Sequence, residues 1–330
     1  MKNNSENPLL DRKSARKIFL NNCGFGNSDI AEIPGDASFR NYARLRTQKE
    51  SIILMDAPPE HEDIRPFCKV AEYLSAHNLH APKIIARDDE QGFLLLEDMG
   101  NFSFTNILRS EAPVVSEFSL YKQAVDVLLH LHQQPLLALP AYDSALLDRE
   151  ILLFIDWYAP LKNIEITTQK RQEFLQIWHN LYPIIDSAAA NIVVLRDYHA
   201  DNLLWCENKN GLQKVGLLDF QDAVIGSPFY DLVSLLEDAR RDVSVDTQEK
   251  IFAYYLENRP GLNAEKARAA YALLGAQRNI KIMGIFARLA KRDNKPRYLE
   301  YMPRVKKHLQ ADLAHPQLLD LKNLMQNWLA

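Results

Sequence analysis

The segment Leu195-Arg196-Asp197-Tyr198-His199-Ala200-Asp201-Asn202, followed by the aspartate of Leu217-Leu218-Asp219-Phe220, carries residue types and spacings suited to phosphoryl transfer. An aspartate five residues before an asparagine, with a second aspartate closing a nearby apolar strand, can hold an attacking hydroxyl and a magnesium-bound triphosphate together. A hydroxyl attacking phosphorus needs its proton accepted or oriented, and a carboxylate within hydrogen-bond reach does this, so Asp197 is the candidate base. Magnesium selects hard oxygen ligands, and Asn202 and Asp219 supply an amide and a carboxylate. Taken singly, such residues also make turns and end strands. Their combination is what is specific.

These side chains need strands to position them. Residues 192–195, 203–206 and 214–218 read as three short strands flanking the motif, so that a β-hairpin would bring Asp197, Asn202 and Asp219 to one end. No other strand is expected after Gly100, where helical spacing dominates: residues 116–132, 144–158, 168–187, 246–258 and 264–292, with two further helices before Ala330. Before Gly100 the pattern is different. A helix over 12–22 stops near Gly24, and three strands follow at 30–34, 40–46 and 51–55. A helix over 63–78 shows one apolar face at Phe67, Val70, Ala71 and Leu74, and strands at 83–86 and 93–97 complete a five-stranded set.

Composition limits the alternatives. A chain of 330 residues with 47% hydrophobic and 25% charged residues can bury a large core in two domains. A net charge of −4 leaves no broad basic field, so nucleic acid is not an expected partner, although Arg288 to Arg297 forms a local basic patch. Cys23, Cys68 and Cys206 are far apart and suggest neither a disulfide framework nor a zinc site. Residues 1–17 lack the apolar stretch of a signal peptide, and no run is long enough to span a membrane. The expected location is the cytoplasm. Neither a Gly-x-x-x-x-Gly-Lys-Ser/Thr loop nor a Gly-x-Gly-x-x-Gly turn is present, so a nucleotide would bind in another way.

Residues 195–202, 217–222 and Gly226-Ser227-Pro228-Phe229-Tyr230-Asp231 resemble the aminoglycoside phosphotransferase and choline kinase superfamily. Within it, Gly35-Asp36-Ala37-Ser38-Phe39-Arg40, Met55-Asp56-Ala57-Pro58-Pro59-Glu60, Leu94-Leu95-Leu96-Glu97-Asp98 and Asp238-Ala239-Arg240-Arg241-Asp242 are similar to bacterial N-acetylmuramate/N-acetylglucosamine anomeric kinases of peptidoglycan recycling. The resemblance implies an α+β, protein-kinase-like bilobal fold. A small N-terminal lobe with a five-stranded antiparallel sheet would bind nucleotide (residues 1–97), and a larger helical C-terminal lobe would carry the catalytic loop and the sugar site (98–330). It implies ATP and Mg2+ as cofactors, Asp197 as base, Asn202 and Asp219 as metal ligands, and a small amino sugar as substrate. Gly35, Ser38, Phe39 and Arg40 would cover the triphosphate, and Glu97 and Met99 would offer backbone groups to adenine. Asp231 would brace the catalytic loop; His199 would either brace that loop or meet substrate.

The residue types fit a phosphate loop as well, since a small-residue turn lets backbone N–H groups approach phosphate oxygens; they fit a plain hairpin turn too. One departure stands out. The superfamily places a lysine on the third strand to hold the α- and β-phosphates, but Ile52-Ile53-Leu54-Met55-Asp56 has none. Arg40 or Arg44 could replace that charge, with Glu72 as its partner. For the sugar, Arg278, Asn279, Lys281, Arg288, Arg292 and Tyr298 are candidates, as are Arg240 and Arg241, because a lactyl carboxylate favours basic side chains; each could equally be a solvated or ion-paired charge. Other acceptors compatible with the motif are an aminoglycoside, choline or homoserine, and a regulatory nucleotide-binding pseudokinase is the reading from another class. Protein partners are not indicated.

Overall fold

A computed structural model describes residues 8–34, 39–111 and 113–329. The chain divides into two compact units, Met1–Phe102 with Leu204–Asp222, and Ser103–Leu203 with Ala223–Ala330.

The first unit contains α1 (Pro8–Asn22), β1 (Asp29–Ile33), β2 (Asn41–Arg46), β3 (Ser51–Asp56), α2 (Arg65–Ala76), β4 (Ile84–Asp88) and β5 (Phe93–Glu97). All five predicted strands form, in one antiparallel sheet of order β1-β2-β3-β5-β4. Alternation along the pleat puts Ala43, Leu45, Ile52, Leu54, Phe93 and Leu95 into one core with Phe19 and Leu20 of α1. Arg12 of α1 closes this core, its guanidinium 2.6 Å from Asp56 and 3.9 Å from the centre of the Phe93 ring. On α2 the expected face is buried, joined by Cys68 and Tyr73.

Four short strands surround the motif: β6 (Ile192–Val194), β7 (Leu203–Trp205), β8 (Val215–Leu217) and β9 (Val224–Gly226). The expected hairpin forms from its second and third strands, while the first pairs elsewhere. β7 pairs with β8, but β6 pairs with β9, in the register Ile192↔Gly226 to Val194↔Val224. β9 is an unexpected strand: three residues before Ser227-Pro228 are too few to show a period, and only its pairing with β6 makes it one. Within the first unit the β7–β8 hairpin is held by a bridge between His80 and Gly216 and by the Leu217 N–H donating to the His80 carbonyl at 2.8 Å.

The second unit is helical. It comprises α3 (Phe104–Leu108), α4 (Glu117–Leu131), α5 (Ser144–Leu153), α6 (Ala159–Leu161), α7 (Thr168–Ala188), α8 (Phe229–Leu236), α9 (Val245–Glu257), α10 (Ala264–Lys291), α11 (Met302–Asp312) and α12 (Leu319–Met325). The helix expected over 144–158 is interrupted, because Phe154–Tyr158 forms a π-turn between α5 and α6. Polar residues set several starts: Ser116, Thr167, Ser244 and Asn263 each accept a backbone N–H from the first turn of α4, α7, α9 and α10. α10 is buried on most sides, which its alanines and two interior glycines permit.

Gly284 of α10 lets that helix approach α5 closely, since a Cβ there would lie 2.3 Å from the Leu153 carbonyl carbon. Gly284→Ala is therefore expected to destabilise the protein by about 1–3 kcal/mol through overpacking. Urea unfolding of the two proteins would check this; equal midpoints would mean that α5 yields freely.

Candidate active site

In the second unit the loop after β6 is organised by one buried carboxylate. Asp231, 1% exposed in the first turn of α8, accepts the Leu195 N–H at 2.7 Å and the Arg196 N–H at 2.8 Å. Arg196 has φ +72°, a left-handed conformation uncommon for a residue with a side chain. The paired bonds to Asp231 supply the surrounding restraint that such a backbone needs. Asp197 follows directly.

Further bonds complete the loop. Asn202 donates from Nδ2 to the Asp197 carbonyl at 3.0 Å, which commits the amide nitrogen and distinguishes Oδ1 as the atom left for a hard cation. Asp238, also 1% exposed, accepts the Ala200 N–H at 3.3 Å and the Arg240 N–H at 2.8 Å. His199 is buried and accepts from Arg240 Nη1 at Nε2, 3.1 Å away, which puts its proton on Nδ1. Burial is the main reason that His199 is held below the usual histidine range, so it braces the loop as a neutral ring. For Asp197, burial favours the neutral acid, but the charges of Lys281, Arg278 and Arg196 outweigh it and lower the pKa.

Lys281 belongs to a network that includes residues sequence reasoning missed. Glu150 of α5 is 5% exposed and accepts from Arg196, from Tyr142, from Gln277 Nε2 at 3.0 Å and from Lys281 Nζ at 3.1 Å. The Lys281 ammonium also meets the Tyr230 hydroxyl at 3.1 Å. Glu150 did leave a signal: it sits among Leu147, Ile151 and Phe154 on the apolar face of its helix, where a carboxylate must be paired.

Five of the other sugar candidates are occupied elsewhere. Arg240 serves His199 and lies 3.6 Å from Asp201, while Arg241 reaches Tyr121 and Glu117 at 2.8 Å each. Arg278 and Asn279 bond to Glu237, and Arg292 pairs with Asp293.

In the first unit, Asp219 follows β8 with φ +59°, and the next residue, Phe220, stacks on Phe67 of α2 with centroids 5.0 Å apart. Arg40 lies 3.5 Å from Asp219 Oδ1 and 3.8 Å from Glu62. Burial works against its charge, but Tyr42, Asp219 and Glu62 outweigh that and raise its pKa. Phe39 is 63% exposed and stacks on His61; Gly35 and Ser38 lie outside the described residues. Arg44 instead pairs with Asp98 at 2.7 Å. The expected pairing of Glu72 with Arg40 or Arg44 is not found: Glu72 lies 3.5 Å from Arg87, on the exposed side of α2.

Glu97 uses its N–H on the Lys83 carbonyl at 2.9 Å, and its carboxylate meets His80 and Lys209, each at 3.3 Å. Met99 packs beside Gly216, where a Cβ would lie 3.1 Å from its sulfur. Thus the first unit brings Arg40 and Asp219 together and the second brings Asp197 and Asn202 together.

Solved structures share this fold. A choline/ethanolamine kinase family protein from Mesorhizobium loti matches with a TM-score of 0.64 at 10% identity, over 96% of this chain and 99% of that one. An ADP-bound aminoglycoside phosphotransferase matches with a TM-score of 0.57 at 14% identity, over 90% and 97%. The fold class is that of the protein-kinase-like phosphotransferases, enzymes that phosphorylate hydroxyl acceptors. The chain belongs to the phosphotransferase enzyme family (APH), whose model matches residues 29–273. It is 35% identical to an N-acetylmuramate/N-acetylglucosamine kinase of Caulobacter vibrioides, over 94% of this chain and 95% of the relative. It is also 35% identical to a protein of that name from Pseudomonas aeruginosa, over 92% and 90%.

The His80–Glu97 pair makes a pH dependence testable. Both imidazole nitrogens face oxygens, Nδ1 the Gln213 carbonyl at 2.8 Å and Nε2 Glu97, an arrangement suited to the cation. Burial opposes that charge, but bonds to Cys206 and Glu97 outweigh it and raise His80 to about 9; the bond from His80 is the main reason that Glu97 falls to about 2. His80's contribution to stability is then complete below 6.5 and lost as pH rises through about 9, whereas that of Glu97 is complete above 4.5 and lost towards 2. Melting temperature should fall from pH 6.5 to 9, and His80→Gln should flatten this slope; identical profiles for the two proteins would exclude the pair as its source.

Proposed function

We propose that this protein uses magnesium-ATP to phosphorylate the anomeric hydroxyl of N-acetylmuramate and N-acetylglucosamine, forming sugar 1-phosphates in cell-wall recycling. The observation that carries the reading is the name shared by relatives 33% to 36% identical over about nine-tenths of the chain. The loop from Leu195 to Asn202, braced by Asp231 and Asp238, supports the chemistry.

In this reading Asp197 accepts or orients the proton of the attacking hydroxyl. Its lowered pKa keeps it ionised at neutral pH, as a base must be. Asn202 Oδ1 and the Asp219 carboxylate would be the magnesium ligands the protein supplies. Water and phosphate oxygens would complete the coordination, as is usual for magnesium. Bound there, the ion would neutralise charge on the phosphates. Phe39 and Arg40 would cover the triphosphate, as would Gly35 and Ser38, which lie outside the described residues, and the backbone of Glu97 and Met99 would meet adenine. Arg40, the arginine beside Asp219, is the better replacement for the missing lysine; Arg44 is committed to Asp98. The protein's proposed place of action is the cytoplasm; no helix among the described residues is long and apolar enough to cross a membrane.

The direct test offers ATP with N-acetylmuramate, N-acetylglucosamine, aminoglycosides and choline. The two amino sugars should give products that have lost their reducing ends; a product that stays reducing would exclude the anomeric position. Asp197→Asn should lower turnover by about 10²–10⁴-fold while ADP binding persists, and near-normal turnover would remove Asp197 from the role. Arg40→Ala should raise the KM for ATP and lower turnover, and unchanged values would point away from Arg40.

A further inference from the structure

The network around Arg196 contains an acceptor-selecting feature. A carboxylate has about four lone-pair sites, and Glu150 already meets four donors: Arg196 and Lys281 at Oε1, Tyr142 and Gln277 at Oε2. Asp231 and Asp238 are likewise committed to backbone N–H groups. The buried carboxylates flanking the catalytic loop therefore do not offer a pocket for a cationic acceptor. Lys281 differs from them. Its side chain is 12% exposed, and of its three N–H groups one is directed at Glu150 and one at Tyr230, which leaves one to donate. The side chain of Arg196, the residue before Asp197, is 17% exposed and shares Oε1 of Glu150 with Lys281. The accessible polar surface of this network next to Asp197 thus consists of cationic donors.

We propose that Lys281 is a specificity-determining residue for the acceptor, its ammonium donating to an oxygen of an uncharged or anionic polyhydroxyl substrate and disfavouring cationic ones. Glu150 and Tyr230 fix the ammonium in place, so that a sugar oxygen meets a donor already oriented. The inference rests on the sugar-kinase reading and deepens it. It also gives a physical reason for separating amino sugars whose nitrogen is acylated, and so uncharged, from aminoglycosides and choline, which are cations.

The test is steady-state kinetics of the full chain and of its Lys281→Met and Lys281→Arg variants, with sugar and ATP varied separately and melting temperatures recorded. Loss of a charged hydrogen bond to substrate should lower kcat/KM for N-acetylmuramate and N-acetylglucosamine by about 10–100-fold in Lys281→Met. The KM for ATP should stay within about twofold, and Lys281→Arg should recover part of the loss. A purely structural lysine would instead move both KM values and the melting temperature together, which overturns the proposal. If Lys281→Met does not fold, Lys281→Arg decides: a raised sugar KM at unchanged ATP KM supports the proposal, and an unchanged sugar KM overturns it. Turnover of the amino sugars by the unsubstituted protein with no effect in either variant refutes only this inference. No turnover of either sugar by the unsubstituted protein refutes the sugar-kinase reading as well.

Discussion

The bond pair from the Asp231 carboxylate to the N–H groups of Leu195 and Arg196 is the constraint on which the proposed catalytic loop depends. An arginine with a positive φ persists only where its surroundings hold it, and these two bonds act on the peptide groups entering that turn. Asp231 in turn is fixed by its position in the first turn of α8, directly after the strand β9 that pairs with β6. A short sheet and a short helix thus anchor the same few residues from two directions. The direction in which Asp197 leaves the turn follows from that anchoring.

Polar groups around the loop are arranged by satisfaction more than by net charge. Glu150, Asp231 and Asp238 are buried carboxylates, and each is supplied with donors. A buried carboxylate without such partners would be costly, and one with several is pinned. His199 follows this logic at Nε2, a neutral acceptor for Arg240, but not at its buried Nδ1, which has no hydrogen-bond partner among the described residues. What remains available near Asp197 is then a matter of which donors are left over, and Lys281 is the clearest of these.

The first unit uses its charges differently. Arg44 and Asp98 tie β2 to the segment after β5, and His80, Glu97 and Lys209 tie the sheet to the β7–β8 hairpin. Asp219 is carried by that hairpin and steadied by the stacking of Phe220 on α2. Arg40 alone of the two candidate arginines lies beside Asp219, with Glu62 as its other acidic neighbour.

Much of this was legible in the sequence. The five-stranded sheet and the buried face of α2 follow from periods of two and of three to four residues, which the pleat and the helix impose on any chain. The Asp197, Asn202 and Asp219 set is proposed on chemistry that few residue types can perform and on local spacing in the primary structure. The pairing of β6 with β9, the π-turn after α5 and the partners of Glu72 and Arg240 were not legible, because each depends on residues distant in the chain. The same holds for Lys281: along the sequence it is one of many basic residues on long helices, and only the convergence of α5, α8 and α10 gives it Glu150 and Tyr230 as neighbours. Local sequence determined the strands, the helix faces and the residue types on offer. The tertiary structure decided which charges are already paired, because pairing is a property of distances that the order of residues does not encode.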